Sequence, residues 1–167
     1  MKEKSEEQFD PFVHFKKVTA DAFDFLVRDY GFDHISTTVY MPECEIRYYN
    51  ETTGVRVLYE WGGLPSVTLF RLERTPTKIL EPEGYWIELL IKERCPDRAE
   101  KLNYESGELN DRDVERMLRN YAVVLKAYAR DVLQGDFKIF PKLKALAQEE
   151  QRQRNLELFG SETGETP

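Results

Sequence analysis

The chain has 167 residues and a formal net charge of −7, with 41% hydrophobic and 13% aromatic residues. That length favours one domain with a core large enough to need no covalent staple. The composition excludes a disordered chain. The charge argues against non-specific binding to nucleic acid, and against docking on an anionic membrane, since both need clustered Lys and Arg.

Residues 1–9 read as a polar arm without the apolar core of a signal peptide, so a cytoplasmic location is expected. Asp10-Pro11 reads as a helix start, Asp capping free N–H groups and Pro tolerating the first turn. Phe15, Val18, Ala22, Phe25 and Leu26 follow on one helical face. Gly31 stops that helix in the left-handed conformation, and Phe32 folds back on it.

From about 33 to 73 the period becomes two. Thr37–Tyr40, Cys44–Tyr49, Val55–Trp61 and Ser66–Leu72 are four expected strands, with Cys44, Ile46 and Tyr48 on one face and Val55, Val57, Tyr59 and Trp61 on one face of the next. Asn50–Gly54 and Gly62–Pro65 are the turns, so the set is an antiparallel meander. Residues 84–94 fit either a buried helix or a last strand; Pro82 and Glu83 suit a first turn and favour the helix.

Residues 97–110 read as a polar connection. Asn110 caps a helix whose stripe is Val114, Met117, Leu118, Tyr121, Leu125, Tyr128 and Val132, ended by Gly135. A further helix carries Leu143, Leu146 and Ala147, then turns polar from Gln148 to Asn155; Leu156, Leu158 and Phe159 need something to bury against. The expected organisation is a flexible arm over 1–9, one α+β domain over 10–159 and a flexible tail over 160–167, with the C-terminal amphipathic helices packed on the sheet.

Candidate sites are sparse. Glu43, Glu45 and Glu60, with Arg47 and Arg56, offer paired carboxylates, but their alternation fits a wet sheet face. Asp33-His34 and Cys44 contain the residue types of a nucleophilic site with no spacing that brings them together. Gly62-Gly63 joins two strands and lacks the Lys and Ser/Thr of a phosphate loop. Two cysteines and two histidines, all far apart, make no metal site. No catalytic residue, metal or cofactor is therefore assigned.

An acidic stretch stands out. Asp97, Glu100, Glu105, Glu108, Asp111, Asp113 and Glu115 face only Arg98, Lys101 and Arg112, a local net of −4 over 19 residues. Part of it follows from the preference for acids at a helix N-terminus. The aromatic set Tyr48, Tyr49, Tyr59, Trp61, Tyr85 and Trp86 supplies interface anchors if the second sheet face is open. Glu100, Glu105, Glu108, Asp111 and Asp113, with Tyr49 and Trp61, form the expected partner-binding set.

The order of a helix ending in Tyr30-Gly31-Phe32, a meander, then Asn120-Tyr121-Ala122 through Leu133-Gln134-Gly135-Asp136-Phe137 resembles small bacterial proteins, some of them immunity proteins of polymorphic toxin systems. The resemblance implies a non-catalytic acidic inhibitor that occludes a basic toxin domain. It transfers no active-site residue. The rival expectations are a self-assembling protein that dimerises through its C-terminal helices, and an enzyme or small-ligand binder with a pocket between sheet and helices.

Overall fold

A computed structural model of the chain describes residues 10–99 and 109–160. Helix α1 (Val13–Tyr30) is followed by five strands: β1 (Asp33–Tyr40), β2 (Glu43–Tyr49), β3 (Thr53–Glu60), β4 (Ser66–Arg74) and β5 (Ile79–Trp86). Then come α2 (Ile87–Arg94), a short α3 (Pro96–Ala99), α4 (Asp111–Tyr128), a short α5 (Arg130–Leu133) and α6 (Phe140–Phe159). The strands pair antiparallel in the order β1-β2-β3-β4-β5. The class is α+β, as the periodicities predict.

The fifth strand is the main difference from the sequence reading. Pro82 and Glu83 lie inside β5 rather than in a helical first turn, and the helix begins only at Ile87. Pro82 is tolerated because β5 is an edge strand, where one side needs no ladder donor. Helix α1 starts at Val13, two residues after Pro11; Asp10 still accepts the Phe12 N–H at 2.9 Å. Its C-terminus closes at Gly31, with φ 66°, and Phe32 N–H donates to the Leu26 carbonyl at 3.0 Å. The helix expected to run to Val132 breaks at Ala129 and resumes as α5.

One sheet face carries the core. Cys44, Ile46, Tyr48, Val55, Val57, Tyr59, Val67 and Leu69 point into it and meet the apolar faces of α1, α2 and α4. The residues of α4 that bury are those of the predicted stripe, Val114, Met117, Leu118, Tyr121 and Leu125. At roughly 1.5–3 kcal/mol for each fully buried large apolar side chain, this layer is the main stabilising term.

Helices α1 and α4 run parallel. His14 Nε2 lies 3.2 Å from the Asp111 carbonyl near their starts, and Lys126 Nζ sits 4.6 Å from the Phe25 ring centroid further along. The rings of Phe12 and Phe15 lie 6.2 and 5.2 Å from the Tyr59 ring. Both helices therefore begin at the end of the sheet where the β1–β2 and β3–β4 turns lie.

The opposite end is fastened by Asn50. Its Oδ1 accepts the N–H groups of Thr52 and Thr53 at 3.0 and 2.8 Å, and its Nδ2 donates to the Leu133 carbonyl at 2.9 Å. Thr53 Oγ1 donates to the Val132 carbonyl at 2.8 Å in a buried position. The β2–β3 loop thus supplies a donor to the Leu133 carbonyl at the end of α5 and a second donor to the Val132 carbonyl, which also accepts the Gly135 N–H at 3.0 Å. Arg94 at the end of α2 adds a two-pronged pair to Asp131, at 2.6 and 2.5 Å.

Candidate interaction surface

The second sheet face carries no helix layer and closes on itself. Tyr49, Gly54, Phe70 and Gly84 form one row across β2 to β5. The two glycines leave room for the two rings, which pack with Leu72 into a small second core. A Cβ on Gly84 would stand 2.3 Å from Phe70 Cδ1, so this row demands glycine at that position. Beside it, Arg47 bonds Glu45 at 2.6 Å and lies 3.6 Å from Glu81, while Tyr49 donates its hydroxyl to Glu81 at 2.5 Å. The Arg56 guanidinium covers the Phe70 ring at 4.8 Å. Those hydrogen bonds and the flanking carboxylates hold the Arg47 guanidinium firmly charged.

Tyr49, expected as a surface anchor, is only 7% exposed and belongs to this closed patch. Glu45, Arg47 and Arg56 pair across strands, which is the behaviour of a wet sheet face.

Trp61 stands elsewhere. Its N–H donates to the Pro42 carbonyl at 2.8 Å, which ties the β3–β4 turn to the β1–β2 turn. The two turns present Tyr40, Met41, Trp61 and Leu64 with exposures of 68, 62, 54 and 53%. Four large apolar side chains, each more than half exposed, are thus carried on two neighbouring turns at one end of the sheet. Sequence reasoning found Trp61 and missed its three neighbours, because nothing in the chain says that the two turns meet.

The same end bears a like-charge pair. Glu43 lies directly opposite Glu60. The Trp61–Pro42 bond flanks that pair, which makes it a non-hydrogen-bonded pair, the closer of the two cross-strand spacings. Like charges so placed cost stability, on the order of 0.2–1 kcal/mol. Neither carboxylate has an ion-pair partner among the described residues.

Asp111 and Asp113 sit in the first turn of α4, at that end of the molecule. Asp113 is occupied locally: it completes the capping box with Asn110 and pairs with Arg116 at 3.1 Å. Glu100, Glu105 and Glu108 lie outside the described residues.

The other candidates separate. Cys44 is fully buried in the core, and burial pushes its thiol up. His34 is exposed, pairs with Tyr48 in register, and places Nε2 2.8 Å from Thr37 Oγ1. Four strand residues, about 13 Å, part Tyr48 from Cys44, so no His–Cys pair forms. Gly62, at φ 80°, and Gly63, donating to the Glu60 carbonyl at 2.8 Å, make a tight strand turn.

Burial raises the Glu88 carboxyl above its ordinary range, with Tyr121 donating to Oε1 at 2.7 Å and Oε2 buried without a hydrogen bond. A cavity of about 260 Å³ between β5 and α6 is lined by Tyr85, Trp86, Leu89, Glu150 and Arg154. Among the described residues, no three His, Cys, Asp or Glu side chains group as a metal site requires, and no helix is long and apolar enough to cross a membrane. No family model, curated protein or solved structure matches the chain.

Proposed function

We propose that this protein is a non-catalytic binding module whose partner-binding surface is the end of the sheet formed by the β1–β2 and β3–β4 turns. The observation that carries the reading is the exposure of Tyr40, Met41, Trp61 and Leu64 on two turns joined by the Trp61–Pro42 bond, at the sheet end that also bears the Glu43/Glu60 pair. Trp and Tyr are the commonest binding anchors, and a carboxylate pair held at close spacing favours a partner that brings a cation to it. The partner is a protein with a basic, partly apolar surface. In its most specific form the reading is an immunity-type inhibitor that occludes a basic toxin domain in the cytosol of a bacterium, supported by the whole-chain charge of −7.

The test is a capture experiment with wild-type protein, Trp61→Ala and the double variant Glu43→Lys/Glu60→Lys as parallel baits. The expected result is one basic protein bound stoichiometrically to the wild type, released by salt and missing from both variants. A partner retained equally by all three baits would move the binding surface elsewhere. The self-assembly reading has its own support in Leu156 and Leu158, which stand exposed on α6.

A further inference from the structure

The two edges of the sheet are built differently. The free edge of β5 is blunted: Glu81, Pro82 and Glu83 interrupt it, and α6 lies alongside. The free edge of β1 has no such protection. From Ile35 to Tyr40 it reads Ile-Ser-Thr-Thr-Val-Tyr, without charge or proline, and Ile35, Thr37, Val39 and Tyr40 are exposed. A bulge lies between His34 and Ser36, so Ser36–Tyr40 is the regular part.

The ladder shows which backbone groups this edge leaves open. Asn50 N–H donates to the Thr53 carbonyl at one end of the β2–β3 pair, and Trp61 N–H to the Pro42 carbonyl at the other. Alternation between these bonds turns the N–H and C=O of Glu43, Glu45 and Arg47 toward β1, where they meet Tyr40, Thr38 and Ser36. Thr37 and Val39 therefore aim their N–H and C=O groups outward, with no strand beyond them.

We infer that β1 is a dimerisation edge: it pairs antiparallel with β1 of a second copy of this chain, about a two-fold axis normal to the sheet, joining two five-stranded sheets into one of ten strands. Two observations select a second copy as the occupant.

The strand is self-complementary. Antiparallel pairing keeps the core faces together only when paired residue numbers sum to an even value. With Thr37 on the axis, Ser36 meets Thr38 within the regular part of the strand. With Thr38 on the axis, Thr37 meets Val39 and Ser36 meets Tyr40. Ser36 against Thr38 and Thr37 against Val39 are pairs of like or β-branched residues, and neither register sets like charges against each other, in a chain of net charge −7.

The outward groups of Thr37 and Val39 are matched in number and spacing by the same groups of the second copy. This inference shares Tyr40 with the proposed binding surface, and its test reads self-association of the chain with no partner present. The dimer leaves Trp61 and Leu64 outside the interface and places the two turn-built ends on opposite sides of the joined sheet, which makes the assembly bivalent for its partner.

The experiment is sedimentation equilibrium of the full chain from low micromolar into the hundreds of micromolar, comparing wild type with Thr37→Pro and Val39→Lys. Thr37→Pro removes an outward N–H without touching the bonds to β2. Val39→Lys places a charge on the edge and covers the case in which proline disturbs the strand. Far-UV circular dichroism confirms that each variant is folded. The wild type is expected to show a monomer–dimer equilibrium, Thr37→Pro to weaken it by about thirtyfold or more, the factor for two backbone hydrogen bonds lost per dimer, and Val39→Lys to weaken it by like-charge repulsion at the edge. A wild type that stays monomeric throughout would overturn the inference. A dimer equally tight in both folded variants would overturn it as well, and would direct attention to the exposed leucines of α6.

Discussion

Substituting Gly84 by Ala tests the account of the second sheet face. The new Cβ would stand 2.3 Å from Cδ1 and 2.5 Å from Cε1 of Phe70. Ordinary contact begins near 3.4 Å, so the ring must retreat by about an ångström. Phe70 cannot retreat freely, because Arg56 covers it at 4.8 Å and Tyr49 and Leu72 pack with it. Overpacking of this kind costs about 1–3 kcal/mol. Against that, Ala gains about 0.4–1 kcal/mol from a stiffer unfolded chain. The expected net loss is about 1–2 kcal/mol, read from urea unfolding, with Tm lower by roughly 2–8 °C. Phe70→Leu in the Gly84→Ala background should recover part of the loss, giving a coupling energy above about 0.5 kcal/mol in the double-mutant cycle. Gly84→Ala as stable as wild type, with additive effects, would refute the ring-over-glycine packing.

Asn50→Ala removes two accepted N–H bonds and the tie to Leu133, and should cost about 2–4 kcal/mol in chemical denaturation. Glu88 has a carboxyl raised by burial, so its contribution to stability is full in acid and is lost as pH rises through the folded value. Glu88→Gln should therefore melt a few degrees above wild type at pH 7, with the difference closing below about pH 4. Asp131 behaves oppositely: the hydrogen bond from Arg94 lowers its carboxyl, so the stability of that pair is present above the ordinary carboxylate range and is lost as pH falls through the lowered value. Arg94→Met should be clearly less stable than wild type at neutral pH, with the gap narrowing in strong acid.

Much of the fold is legible in the sequence because local signals agree. Gly31 ends α1 where its position after an apolar stripe says it should, and Asn110 caps α4 with both bonds of a capping box. The four expected strands are found where period two places them. What failed was local evidence in conflict with long-range pairing. Pro82 and Glu83 read as a helix start, but Gly84 is needed under Phe70 and Tyr85 is needed opposite Leu69, so the segment is a strand. Tyr49 read as an outward anchor by alternation. It does point away from the main core, yet Gly54 and Phe70, neighbours in register and distant in sequence, make a second core there. No count along the chain predicts which residues stand opposite each other across three strands.

The same register argument explains where the unspent surface lies. A sheet with helices on one face ordinarily offers its other face for binding. Here much of that face is consumed by Tyr49, Phe70 and the Glu45–Arg47–Glu81 network, with Trp86 at the end of β5 left 54% exposed. What remains exposed is apolar at the turns and unsatisfied at the β1 edge, because neither glycine pairing nor cross-strand ion pairs reach past the last residues of a ladder. Closing one face of the sheet on itself is why the binding proposed above is sought at the sheet's perimeter. The perimeter is also where the chain keeps Glu43 against Glu60, a like-charge pairing that costs stability and that a partner's cation would relieve.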